Sequence, residues 1–386
     1  MAQPFLKIRK LIPEFVKRIA RFIFYNEERT RFFREIKIRR SQNRLIHHYD
    51  SQSAKLIVFI IPGADWATGK DKISGGIMSI VSICEETKRL REIHRAEPIL
   101  CTHTSDNLLL RHTQFESETD IFRFSQLISY FNRVEEILIH VPEFMAEYLM
   151  LRFLGKEKKW LKNVSFVHVN VLNQNIRLMP SPDFIRDLQR VSNRITITTA
   201  HQKYCSPYYR DYYDAPLHKL SVWVSPEQYY FRAWKNKENL LVVSPDKHPM
   251  KENILLTLRT VPGLVVEVIE NITYLQFKDL IARAKWSLTF GEGLDGYIVE
   301  PIFSGAIGFA VYNEEFFTED FRGLQGIYPS YTEMAIKLAA DIMRLNSEST
   351  YTETQSKQFE LCSKYYSYDQ YRDNIAQFYL GNYTYK

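Results

Sequence analysis

The chain has 386 residues, 45% of them hydrophobic and 25% charged, which suits two ordered domains and excludes an intrinsically disordered protein. Its net charge of +6 is unevenly placed: residues 1–40 carry twelve Lys/Arg against four Glu, so the remainder of the chain is slightly acidic. Cys84, Cys101, Cys205 and Cys362 lie far apart without a CxxC, which excludes a disulfide framework or a zinc cluster and fits a reducing, cytoplasmic compartment.

In chain order, residues 1–45 read as a basic amphipathic leader. Leu6, Ile8, Leu11, Ile12, Phe15, Val16, Ile19, Phe22 and Ile23 recur at helical spacing among cations, the pattern of a helix lying on an anionic membrane surface. Each cation close to such a surface contributes about 1 kcal/mol. A basic helix packed on the body of the protein is the competing reading, and both stay open. The apolar content exceeds what phosphate tracking needs, so no nucleic-acid partner is expected. Lys17, Arg18 and Arg21 break any signal-peptide core, and the longest apolar run, 56–61, is far short of the roughly 20 residues of a membrane helix. The expected location is therefore cytoplasmic, peripheral to the inner face of the membrane if the leader binds there.

The body opens with an unbroken apolar run from Lys55 to Pro62, as a central parallel strand would show. Ser74-Gly75-Gly76 follow, then Ile77, Ile80, Val81 and Cys84 on one helical face, which makes a strand, glycine loop, helix unit. Further strands are predicted at 98–101, 136–140, 164–171 and 194–199, with helices at 120–132 and 143–154 between them. A second cycle starts near residue 217, with strands at 240–244, 264–269 and 286–290 and helices at 251–258, 278–284 and 297–303. Such alternation predicts an α/β protein of two Rossmann-like domains facing a cleft. The expected divisions are 1–45 (leader), 46–222 (first Rossmann-like domain), 223–360 (second Rossmann-like domain) and 361–386 (last helix and tail). The stretch 63–71 resembles a phosphate P-loop, but it has five residues between Gly63 and Gly69 and Asp71 where a Ser/Thr would hold magnesium, which excludes a Walker-type NTPase.

Chemistry concentrates in 291–310. Glu292 and Glu300 are separated by seven residues, with glycines after the first and Gly305 after the second. A helix starting near Gly296 would aim its free amides, those of Tyr297 and Ile298 included, at a phosphate. Glu300, one turn inside, offers two oxygens to a ribose diol, and Glu292 precedes the turn, where a transferred sugar would lie. No Asp-x-Asp occurs anywhere, so a common metal-binding signature is missing and no metal or other cofactor is expected.

This segment resembles the E-x7-E stretch of the retaining GT-B glycosyltransferases, chiefly glycosyltransferase family 4. Supporting segments fall in the family's order: 196–204 with 218–231 before the second domain, 240–252 as its strand and phosphate loop, and the aromatic 365–379 as the last helix crossing back to the first domain. The resemblance covers roughly residues 55–380. It implies a sugar transferred with retention from a nucleotide-sugar donor to a glycan or lipid-linked acceptor in capsule or lipopolysaccharide assembly. It also implies site roles: Gly75 and Gly76 at the donor phosphate, Lys247 and Lys251 as its cations, Glu292 orienting the sugar, and His140 contacting it from the opposite domain as the other catalytic residue. His168, Asn170 and His103 are further candidates for sugar or acceptor contacts. For His140 and His168 a satisfied core histidine is the competing reading. The phosphate-loop arginine of the family has no counterpart, and Asp295 adds a carboxylate beside the expected sugar. Three alternatives remain: a phosphoribosyl-type donor, an inverting GT-B enzyme, and a catalytically silent GT-B scaffold.

Overall fold

Every side chain from Leu56 to Ile61 is buried, so the run Lys55–Ile61 can only be a strand covered on both faces. It forms β1 of the computed structural model, which describes residues 26–65, 69–70, 74–103, 107–113, 117–152, 156–294 and 296–386. The apolar periodicity expected at 6–23, and Asp295, lie outside these residues.

The first sheet is parallel throughout. β2 (Glu97–Thr102) and β3 (Ile121–Arg123) lie to one side of β1; β4 (Glu136–Pro142), β5 (Phe166–Asn173), β6 (Arg194–Thr199) and β7 (Leu217–Lys219) lie to the other, in the order β3-β2-β1-β4-β5-β6-β7. Alternate residues of β1 serve opposite cores. Leu56, Val58 and Ile60 pack with Ile139, Val169 and Ile197, whereas Ile57, Phe59 and Ile61 pack with Ile77, Ile80 and Cys84 of the helix Gly75–Arg89. β3 falls inside the stretch predicted as a helix from 120. Three residues are too few to show a strand period, and pairing with Leu100 to Thr102 of β2 decides the conformation.

The second sheet joins β8 (Glu238–Val243), β9 (Val265–Val268), β10 (Ala284–Leu288), β11 (Ile307–Val311) and β12 (Ile327–Tyr328) in the parallel order β12-β11-β10-β8-β9. The chain is thus two α/β units. In each, strand order reverses beside the first strand, between β1 and β4 and between β8 and β10, and the crevice at the carboxyl end of such a reversal is where open α/β sheets bind ligands.

The two units are tied by the C-terminal helices. Glu348–Tyr365 places Cys362 in the second core; one turn later Tyr368–Tyr379 places Tyr371, Ile375 and Phe378 against Ile57 and Phe59 of the first. Tyr385 then bridges Leu217 of β7 through both backbone amides, 2.8 and 2.9 Å. At the other end of the chain, the helix Asn26–Leu45 docks on the first sheet: Gln42 Nε2 donates to Leu109 O (3.2 Å) and Ile121 O (2.7 Å), and Arg31 donates to Asn107 Oδ1 (2.8 Å). Among the described residues no helix is long and apolar enough to cross a membrane.

Candidate active site

The helix Gly75–Arg89 begins at the carboxyl end of β1, where Ser74 caps it by accepting from Ile77 N (3.3 Å). Across from it, the chain leaves β10 through Gly291 to Leu294 and enters the helix Gly296–Phe303. Gly293 holds φ +97°, and a Cβ there would lie 2.3 Å from the Phe317 ring, so this turn tolerates only glycine. Gly296 is constrained differently: a Cβ would fall 2.5 Å from Glu300 Oε1. The carboxylate of Glu300 therefore lies close beside Gly296 at the helix start.

These pieces meet. Gly75, Gly76 and Ser79 from the first unit and Glu292, Leu294, Gly296, Val299 and Glu300 from the second line one cavity of about 170 Å³, completed by Gln174, His201, Trp223 and Tyr366. Glu300 is 6% exposed and accepts at Oε2 from the Tyr274 hydroxyl (2.9 Å), which itself lies 3.0 Å from the Tyr229 hydroxyl. Glu292 accepts at Oε1 from Asn175 Nδ2 (2.7 Å) across the cleft. Burial raises its pKa; Arg177 opposes this, and Asp246 and Glu315 add to it. Tyr297 is half-buried against Phe277 and Ile298 sits in the second core, so of the latter only the backbone is available to a ligand.

Several expected residues are elsewhere. β4 was expected to end at His140, but it runs on to Pro142, so His140 lies inside the strand and under the last helix. Its ring stacks on Phe59 (4.5 Å between centroids), takes a hydrogen bond at Nδ1 from Asn170 (2.9 Å) and lies 3.3 Å at Nε2 from the Tyr379 hydroxyl. Burial, with the nearby His168, drives its pKa well down, which fits a neutral core histidine; the expected sugar contact is corrected. The same holds for Asn170 and His168, since β5 continues to Asn173. Asn170 also bonds Thr198 (2.9 Å) and Thr196 (2.8 Å), and His168 Nε2 lies 2.8 Å from Thr196 Oγ1, a polar ladder internal to the sheet. His103, directly after β2, is 3% exposed and does not line the cavity. Nor do the two lysines. Lys251 spends its ammonium on Ser244 O (2.6 Å) and Asp246 O (3.0 Å), fastening the loop after β8, and Lys247 stands exposed on that loop.

The ligand edge carries other residues: Glu143 after the lengthened β4, Gln174 and Asn175 after the lengthened β5, and His201 after β6, which ends at Thr199 as expected. Glu143 is 3% exposed, accepts from Asn175 N (3.1 Å), and has its pKa pushed up to about 7 by burial, against the pull of neighbouring backbone amides and with a contribution from Glu292. His201 is held neutral, its pKa lowered to about 4 by burial. A boundary read two residues further on would have singled out Glu143, Gln174 and Asn175, whereas His201 follows a strand end that was read correctly.

The two-domain α/β fold with its cleft is the GT-B arrangement. It resembles HepE from Anabaena in complex with UDP (10% identity, 85% of this chain and 100% of that chain, TM-score 0.54) and in complex with UDP-glucose (11%, 84% and 99%, 0.53). It also resembles sucrose-phosphate synthase from Thermosynechococcus elongatus (9%, 85% and 99%, 0.52). At such identities the likeness is one of fold. No family model and no curated protein sequence matches the chain.

Proposed function

We propose that the chain is a glycosyltransferase that takes a sugar from a nucleotide-sugar donor and passes it, with retention at the anomeric carbon, to a growing cell-surface glycan. The observation that carries this reading is the shared cavity: a glycine turn from one domain and two carboxylates from the other, with the spacing of an E-x7-E segment, meet at the strand-order reversals of both sheets. HepE, of the same fold, binds UDP-glucose in its solved complex, which supports a donor of that class.

In this reading the backbone at Gly75 and Gly76 approaches the diphosphate, and the amides opening the helix at Gly296 stabilise the charge that develops on the departing phosphate. Lys247 supplies an exposed cation from the loop after β8, and Lys251 holds that loop in place. Glu300, steadied by Tyr274, takes the ribose, and Glu292 orients the sugar. The acceptor proton leaves with the phosphate oxygen, and no metal takes part. Cleft closure assembles these groups from both domains.

The test is thermal stabilisation by UDP, GDP, dTDP, CMP and phosphoribosyl pyrophosphate. A ligand at a hundred times its dissociation constant adds about 2.7 kcal/mol. One nucleoside diphosphate should stand out, and its sugar conjugate should be turned over in the presence of EDTA. A response to none of them refutes the enzyme, and a response to the pyrophosphate alone replaces the donor class.

A further inference from the structure

Resting on that reading, we propose that Asn175 is the positioning residue of Glu292: the turn 174–177 reaches across the cleft and sets this carboxylate only when the two domains are closed.

The turn follows β5 at the ligand edge of the first sheet and touches both the glycine turn and Glu292. Gln174 Nε2 donates to Gly76 O (3.0 Å), so it reads the glycine turn. Asn175 is held at three points. Its backbone N–H donates to Glu143 Oε1 (3.1 Å), its Oδ1 accepts from Arg177 N (3.0 Å), and its Nδ2 donates to Glu292 Oε1 (2.7 Å). With the oxygen of the amide committed to Arg177 N, the nitrogen can face only an acceptor, and the acceptor it faces belongs to the other domain. Arg177 adds a second crossing, a 2.6 Å ion pair with Glu315.

Folding alone does not account for Glu143 at the root of this turn. It is nearly fully buried, yet Oε2 has no hydrogen-bond partner among the described residues, an arrangement that costs stability. Its gain is local: the other oxygen fixes the backbone of Asn175, one residue from Gln174. Glu292 has the opposite problem. Its own strand, β10, ends four residues earlier, and the contact that defines its rotamer comes from Asn175. Opening the cleft removes that contact and frees the carboxylate to turn, so the sugar-orienting geometry exists only in the closed form.

The experiment measures closure and turnover separately in the full chain. The four native cysteines are buried, so spin labels can be placed at Gln189→Cys in the first domain and Ile336→Cys in the second, both exposed. The wild-type protein should give a short, narrow inter-label distance by pulsed electron resonance. Asn175→Ala should lengthen or broaden it, and the isosteric Asn175→Asp should do so further, because two carboxylates then face each other. The double variant Asn175→Asp with Glu292→Gln should return the wild-type distribution, since it restores one donor facing one acceptor with the polarity reversed. In turnover, Asn175→Ala should lower kcat by about 10- to 100-fold, the loss of a hydrogen bond to a charged group, with the donor KM little changed. Unchanged distances in the single variants, or no recovery in the swap, overturn the proposal. The distances need no donor, so they stand apart from the glycosyltransfer reading, which fails instead if the wild-type protein binds no nucleotide.

Discussion

Gly75→Ala separates the demands of the fold from those of a ligand. A Cβ built at Gly75 meets no protein atom within 4 Å, and its φ is not in the left-handed region, so the folded protein has no reason to resist the methyl group. Replacing glycine at such a position stabilises by about 0.4–1 kcal/mol, chiefly by restricting the unfolded chain. For a domain of about 150–250 residues unfolding as one unit, that raises Tm by about 1–4 °C. Gly75 lines the cavity between the domains, where a diphosphate would press against the bare backbone. If the methyl group displaces a phosphate oxygen, nucleotide binding should weaken by about tenfold or more, equivalent to at least about 1.4 kcal/mol. Thermal melts of wild type and variant, each titrated with the preferred nucleotide, give both quantities from one assay. The expected pattern is a higher melting temperature without ligand and a smaller ligand-induced shift. An unchanged nucleotide affinity would refute the placement of the donor phosphate at this turn.

Glu143→Gln tests the buried carboxyl through pH. With its folded pKa raised to about 7 from 4.5, the folded state binds the extra proton, so wild-type stability falls as pH rises from about 4.5 through 7. The variant should then be more stable than wild type by roughly 3 kcal/mol at pH 8.5 and by little at pH 4.5, read by urea denaturation; a gap independent of pH contradicts the shift. Tyr274→Phe removes the donor to Glu300 and should cost about 1–3 kcal/mol of stability and raise the donor KM; unchanged values would show that Glu300 is held by other groups. Phe378→Ala, on the buried face of the last helix, should cost about 3–5 kcal/mol in the first domain, seen as a lower Tm, without the loss of nucleotide affinity in the second domain.

The sheets were legible because their strands are long apolar runs, as in Lys55–Ile61, and because the Ser74 cap and Gly75 mark a helix start at once. The Glu292 and Glu300 pair was legible for the same local reason: its spacing, its glycines and the helix it opens all lie within one short segment. What failed was the first-domain partner. His140 and His168 carry the more suggestive side chains, but strand ends are the least certain feature of a sequence, and a shift of two or three residues moved both into the sheet interior. Glu143 and Asn175 matter through contacts made over 32 and 117 residues of chain, which no local pattern displays. The short strands Ile121–Arg123, Leu217–Lys219 and Ile327–Tyr328 were missed because neighbours in the sheet, and not their own sequence, specify them.

Hydrogen exchange of the full chain with and without the preferred nucleoside diphosphate addresses the cleft directly. Amides around Gly75–Ser79 and around Gly296–Glu300 are expected to slow together on binding, because one ligand bridges the two domains. Slowing in only one of the two segments, or in neither, would contradict it.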